Sequence, residues 1–266
     1  MNRRLGVCSW SLQPTGPRDL AAKVASTGLR AVQLALDPIR TGAWSEPETR
    51  AALEGVQLLS GMMGTKGEDY STLDSIRRSG GVRPDSTWPD NLAAAKANAT
   101  LAKRLGLSLV TFHAGFFPHD RHDPERARMI DRFRQVAAVF ADRSIRIAFE
   151  TGQESADTLL EVLDELPNVG VNFDPANMIL YGTGDPVDAV KKLAPRIAQF
   201  HIKDAIPSPV AGQWGEEVVA GTGAVRWPDF FAAAASIVGD FIIEREAGTN
   251  RIADVIAARR LVETYA

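Results

Sequence analysis

Eight short, nearly uninterrupted apolar runs punctuate the chain, at residues 5–12, 29–36, 56–64, 109–116, 145–152, 169–177, 197–204 and 241–248. Continuous rather than alternating apolarity is the pattern of parallel strands covered on both faces. Helix-like segments lie between and after them, at roughly 18–27, 47–54, 88–105, 124–142, 155–166, 185–195, 227–238 and 249–265. Eight strand–helix alternations match a (β/α)8 TIM barrel, a fold of about 250 residues. The expectation is one α/β barrel domain over residues 1–266. The rival is a doubly wound open sheet. The first strand-to-helix turn, Ser9 to Asp19, lacks the glycine pattern of such folds, and no second domain boundary is visible.

Helix starts carry local signals. Ser45 and Glu48 have capping-box spacing, and Asp123-Pro124 and Asp185-Pro186 pair a capping carboxylate with a first-turn proline. Leu92, Ala95, Ala99, Ala102 and Leu105 fall on one helical face that Gly106 ends. Two connections, Thr65 to Thr87 and Ala205 to Arg226, are too long for simple turns. Both follow a strand, which puts them on the face where a barrel builds its active site, and both are lid candidates.

The same strand ends supply the candidate chemistry. Glu150, Asp174, His201 and Glu244 stand at or near the ends of the last four runs. In a barrel those strands are adjacent, and carboxylates crowded at one side of the mouth repel unless a cation or proton intervenes. Three oxygen donors and one imidazole suit one divalent ion, with Mn, Mg, Co and Zn all open. A network of structural ion pairs is the competing reading. Glu246 would face the same side as Glu244, one layer displaced. Glu244 is preferred because it directly ends its apolar run.

Composition narrows the partners. Charged residues make up 24% of the chain and the net charge is -3, which gives no electrostatic reason to expect nucleic acid. Cys8 is the sole cysteine, so neither an internal disulfide nor a thiolate zinc cluster can form, and a reducing cytoplasm fits. No apolar stretch approaches the ~20 residues of a membrane helix, and the N-terminus does not read as a cleaved signal.

The segments FETG, NFDPANMILYG, QFHIKD, WGEEVVAGTG and IIEREAG resemble those of the sugar isomerase/epimerase group with a xylose-isomerase-like barrel. Ketose 3-epimerases, hydroxypyruvate isomerase and inosose dehydratase belong to that group. The resemblance runs from Leu5 and is densest between Arg146 and Gly248. It implies that the four residues are metal ligands and that Glu150 and Glu244 are paired acid/base carboxylates. It also implies a small-molecule carbohydrate substrate and admits a homo-oligomer. The chain departs from the ketose 3-epimerase pattern at Asn177, Ala156 and Pro207, where a histidine, a glutamate and an arginine are expected.

The implied reaction is enediolate chemistry, with an α-proton removed and returned to the opposite face (epimerisation) or the adjacent carbon (isomerisation). A lyase that expels a β-leaving group from the same enolate is the alternative, and a noncatalytic sugar-binding barrel is a third. An apurinic-site endonuclease shares the barrel, but the chain has only four histidines. Around the tetrad, Trp10, His113, Asn177 and Lys203 are expected to contact substrate. Trp214 and Glu217 are expected to do so from the second long connection. Asp204 is expected to orient a neighbouring group. The Gly221-Thr222-Gly223 turn does not directly join a strand to a helix, and Glu216 and Glu217 beside it would repel phosphate, which argues against a phosphate-cradling role.

Overall fold

The eight apolar runs become eight parallel strands that close on themselves. The computed structural model of the chain describes residues 3–210 and 212–265. In chain order the strands are β1 (Leu5–Cys8), β2 (Ala31–Ala35), β3 (Gln57–Met62), β4 (Leu109–Phe112), β5 (Arg146–Glu150), β6 (Gly170–Phe173), β7 (Ile197–Ile202), β8 (Asp204–Ile206), β9 (Glu216–Val218) and β10 (Asp240–Ile243). The barrel order is β1-β10-β7-β6-β5-β4-β3-β2, and β8 and β9 form a separate antiparallel pair.

The helices are α1 (Pro17–Thr27), α2 (Asp37–Arg40), α3 (Glu46–Ala52), α4 (Leu73–Ser79), α5 (Trp88–Arg104), α6 (Pro124–Ala141), α7 (Ala156–Asp164), α8 (Pro175–Tyr181), α9 (Pro186–Leu193), α10 (Trp227–Ala234) and α11 (Arg251–Tyr265). None is long and apolar enough to cross a membrane.

Strand alternation sorts side chains between the barrel interior and the helix layer. Phe149 points outward, its ring centroid 4.6 Å from that of Phe133 on α6. Phe173 and Phe200 meet Phe230 of α10 at 6.1 and 5.9 Å. The next inward-facing position in each of these strands is polar.

Several local expectations change. The first run stops as a strand at Cys8, because Ser9–Leu12 turns into a 3-10 segment. There the Ser9 hydroxyl accepts from Ala35 N–H at 2.9 Å. The run at 169–177 stops at Phe173, where Asp174 caps α8 and Pro175 cannot donate to a ladder. Ser45 sits at the start of α3 without a side-chain capping bond, whereas Asp123 and Asp185 cap α6 and α9 as expected. On α5, Ala95, Ala99 and Ala102 are buried, and Asn91, Asn98 and Leu101 join them.

Both long connections contain ordered structure. The first holds α4, started by a reciprocal Thr72–Ser75 capping box. The second, in which Ala211 lies outside the described residues, holds the β8–β9 hairpin. Asp204 pins this connection, accepting from the N–H groups of Ala205, Gly221, Gly223 and Val225 and from Trp227 Nε1. The Gly-Thr-Gly turn therefore cradles the chain's own carboxylate, not a phosphate. Asp204 orders a loop and does not orient a ligand.

The fit at that turn is tight. A Cβ on Gly223 would lie 2.2 Å from Asp204 Oδ1. Gly223→Ala is expected to cost about 1–3 kcal/mol by overpacking, read from urea unfolding. Stability equal to that of the parent protein would show that the loop yields freely.

Candidate metal centre

Four inward-facing side chains converge at the C-terminal mouth of the barrel. Glu150 ends β5, Asp174 follows β6, His201 lies in β7 and Glu244 follows β10. All four are buried, and one ligand atom from each lies within 4.8 Å of the others. His201 Nδ1 is 3.5 Å from Glu150 Oε1, 3.5 Å from Asp174 Oδ2 and 3.3 Å from Glu244 Oε2. The structure brings Glu244 into the cluster, while Glu246 stands at the lip of the cleft above it.

The remaining bonds of these residues point to a cation. His201 Nε2 lies 2.8 Å from Gln33 Oε1. Assigning the ring proton to Nε2, donated to Gln33, leaves the Nδ1 lone pair facing three carboxylates. Asp174 Oδ1 accepts from Asn177 N–H at 2.9 Å as the cap of α8, and its other oxygen turns inward. Two buried atoms, His201 Nδ1 and Asp174 Oδ2, make no hydrogen bond among the described residues, and both face the same point. Orphaned buried groups are costly, and a shared divalent ion would satisfy both.

The cluster demands positive charge, which a second proton on His201 supplies when no ion is held. Burial disfavours the imidazolium, yet the carboxylates of Glu244 and Glu150 outweigh it and hold the His201 pKa well above the usual histidine range. Burial likewise raises Glu244, but Lys203 and His201 override it and keep that carboxyl well below the usual range. Lys203 Nζ is 2.8 Å from Glu244 Oε2, 2.5 Å from Glu246 Oε2 and 3.8 Å from Asp174 Oδ2. One divalent ion plus Lys203 would balance the three carboxylates of the cluster.

Three of the expected substrate contacts hold the carboxylates in place. Trp10 Nε1 donates to Glu244 Oε1 at 2.8 Å. Asn177 Nδ2 donates to Glu150 Oε1 at 2.9 Å, and its Oδ1 accepts from Lys203 at 3.3 Å. Gly152 lets the β5–α7 turn approach α8 here. It has φ +135°, and a Cβ on it would lie 2.5 Å from that of Asn177.

Trp10, Asn177, His113 and Trp214 line a cleft of ≈ 470 Å³, a volume suited to a small ligand. His113 Nε2 is 3.9 Å from Glu150 Oε1. Trp214 meets Tyr181 edge-on at 4.7 Å. The Glu217 carboxylate is 2.7 Å from Arg245 Nη1 and accepts from the N–H groups of Glu246 and Ala247, which ties down the loop after β10.

Beneath the cluster lies a polar floor absent from the sequence reading. Gln33 Nε2 donates to Thr111 Oγ1 at 2.7 Å, and Ser60 Oγ donates to Gln199 Oε1 at 2.5 Å. Gln199 Nε2 donates to Asn172 Oδ1 at 2.9 Å, and Asn172 Nδ2 donates to Glu150 Oε2 at 3.1 Å. The signal was a single polar residue inside each apolar run, visible in AVQLA, GVNF and IAQF.

Glu154 was also missed. Burial pushes its carboxyl up from 4.5 to about 7. A folded pKa above the unfolded one means that stability is lost as pH rises from about 4.5 through 7. Glu154→Gln should therefore gain on the parent protein by up to about 3 kcal/mol between pH 5 and pH 8, read from urea midpoints. An unchanged difference at the two pH values would show an unperturbed carboxyl.

Residues 21–263 match the model of the xylose isomerase-like TIM barrel family. The chain belongs to that family. A xylose isomerase domain protein from Planctomyces limnophilus has a similar structure, with TM-score 0.82 and 29% identity over 92% of this chain and 90% of that one. A D-allulose 3-epimerase from Methylomonas sp., solved with D-allulose, superposes with TM-score 0.73 and 17% identity, covering 100% of this chain and 98% of its own. A 3-dehydroshikimate dehydratase from Bacillus anthracis is 33% identical over 91 residues, which is 32% of each chain. The match thus spans about a third of that relative's length. A ketose epimerase and a dehydratase thus stand among the proteins this chain resembles.

Proposed function

We propose that this protein is a divalent-metal-dependent carbohydrate isomerase or epimerase. The observation that carries the reading is the convergence of two orphaned buried atoms, His201 Nδ1 and Asp174 Oδ2, with Glu150 and Glu244 around one point at the barrel mouth. An ion held by these four would supply positive charge to stabilise two adjacent oxygens of an enediolate.

The chain's own groups do the rest. Glu150 and Glu244 sit on β5 and after β10, with β6 and β7 between them, and so flank the cleft from two sides. Each is held by hydrogen bonds to both of its oxygens, from Asn177 and Asn172 for Glu150 and from Trp10 and Lys203 for Glu244. One takes the α-proton as general base, and the other returns a proton as general acid. His113, Trp214 and Tyr181 wall the cleft and limit access of water.

A dehydratase is the second reading, favoured by the similarity to 3-dehydroshikimate dehydratase. It uses the same proton abstraction and then expels a β-hydroxyl. A panel of free ketoses, sugar phosphates, keto-inositols and 3-dehydroshikimate, incubated with metal-restored protein in D2O, separates the two. Isomerisation or epimerisation gives deuterium at carbon with no loss of water. Dehydration gives a product lighter by one water. Turnover of no panel member would turn the assignment toward a binding protein.

A further inference from the structure

Glu246 adds a fourth carboxylate above the three of the metal cluster. It lines the cleft of ≈ 470 Å³, and its side chain is 54% exposed. With one divalent ion bound and His201 neutral, Lys203 completes the balance of Glu150, Asp174 and Glu244, and the charge of Glu246 is left over. The residue is fixed from three directions. Its Oε2 is 2.5 Å from Lys203 Nζ, its backbone N–H donates to Glu217 Oε1 at 2.9 Å, and its carbonyl accepts from Arg251.

The rest of the wall offers an anion little counter-charge. Among the described residues, neither a lysine nor an arginine lines this cleft. Arg40 and Lys66 line a neighbouring groove of ≈ 590 Å³, and Asp37 borders both spaces. Each of the two cations is already paired, Arg40 with Asp37 at 2.8 Å and Lys66 with Asp90 at 2.6 Å. His113 follows β4, across the barrel mouth from β10, and its Nε2 faces Glu150 Oε1 at 3.9 Å.

An excess charge in a cleft with low-dielectric walls acts strongly on a ligand, because little water screens it. Trp10, Tyr70, Tyr181 and Trp214 supply such walls. Their rings suit the C–H faces of an uncharged sugar and give a phosphate nothing to bond.

We propose that Glu246 sets the charge specificity of the cleft, so that the substrate is an uncharged sugar and sugar phosphates are repelled. The assignment rests on the carbohydrate reading above, and binding tests it apart from turnover. Isothermal titration of the full-length, metal-loaded protein would compare D-fructose, D-tagatose, D-ribulose and D-xylulose, each with its terminal phosphate ester. In at least one pair the free ketose should bind about tenfold or more tightly than its ester, a difference of about 1.4 kcal/mol. No ester should bind more tightly than its ketose.

Glu246→Gln keeps the volume and an oxygen for Lys203 while removing the charge. It should narrow the gap at least about threefold. A second measurement needs no variant. Raising salt from about 0.01 M to about 1 M shortens the screening length from about 30 Å to about 3 Å, and should narrow the gap in the parent protein as well. A merely structural role for Glu246 would not respond to salt in this way. Esters that bind as tightly as their ketoses, or a gap that neither the substitution nor salt moves, would overturn the role of Glu246. Binding by none of the eight sugars would sink the carbohydrate reading and this proposal with it. A ketose preference without turnover would sink the isomerase reading alone, whereas turnover of a tightly bound ester would sink only the charge specificity.

Discussion

Glu150→Gln and Glu244→Gln should each lower turnover of a confirmed substrate by about 10²–10⁴-fold, the usual contribution of a positioned acid or base. The amide keeps the volume and one of the two hydrogen bonds that each carboxylate accepts, so the barrel should fold. What it loses is the ability to accept a proton. The loss should fall mainly on kcat, because these groups act on the reacting atoms. Steady-state kinetics checks this, with circular dichroism to confirm folding. If either variant retained turnover within about twofold of the parent, the acid/base pair would be misassigned.

The second large effect concerns stability. Lys203 is buried and faces Glu244, Glu246 and Asp174. Lys203→Met would remove the one lysine that offsets these carboxylates. Breaking a buried charge network by deleting one partner typically costs about 3–5 kcal/mol. We expect a loss of that size in urea unfolding with chelator present, and a smaller loss with saturating metal, which restores positive charge to the site. Lys192 supplies the control. Its pairing with Asp157 is solvent-exposed, so Lys192→Met should change stability by under about 1 kcal/mol. Similar effects of the two substitutions would mean that Lys203 does not balance the cluster.

The sequence made the barrel and its tetrad legible for one physical reason. Parallel strands covered on both faces are apolar throughout, so a carboxylate or imidazole at the end of such a run stands out. Glu150, Asp174, His201 and Glu244 are polar residues at the ends of strands that bury phenylalanine one position earlier or apolar residues on both faces. The amide floor was legible in principle, since Gln33, Asn172 and Gln199 interrupt apolar runs at inward positions. Which of them would meet depends on strand register, and that is set by the closed barrel. Register shifts at Val32/Gln33 and Val171/Asn172 are not encoded locally.

Loops were the least legible part. Glu217 looked like a lid residue because its segment is long and polar, but its partner Arg245 is distant in sequence. Asp204 looked like a helper of the metal site because it follows His201 by three residues. The chain turns sharply there, and the carboxylate faces the Gly221–Gly223 turn instead. Glu154 gave no signal, since a polar residue after a strand is ordinary until its burial is known.

Metal content tests the centre most directly. Protein purified without added metal, then reconstituted and desalted, would be assayed by elemental analysis beside the Glu150→Gln/Glu244→Gln double variant. About one divalent ion per chain, lost in the double variant, is the expected result. No bound ion in the parent protein after reconstitution would contradict the metal centre and the enediolate chemistry that depends on it.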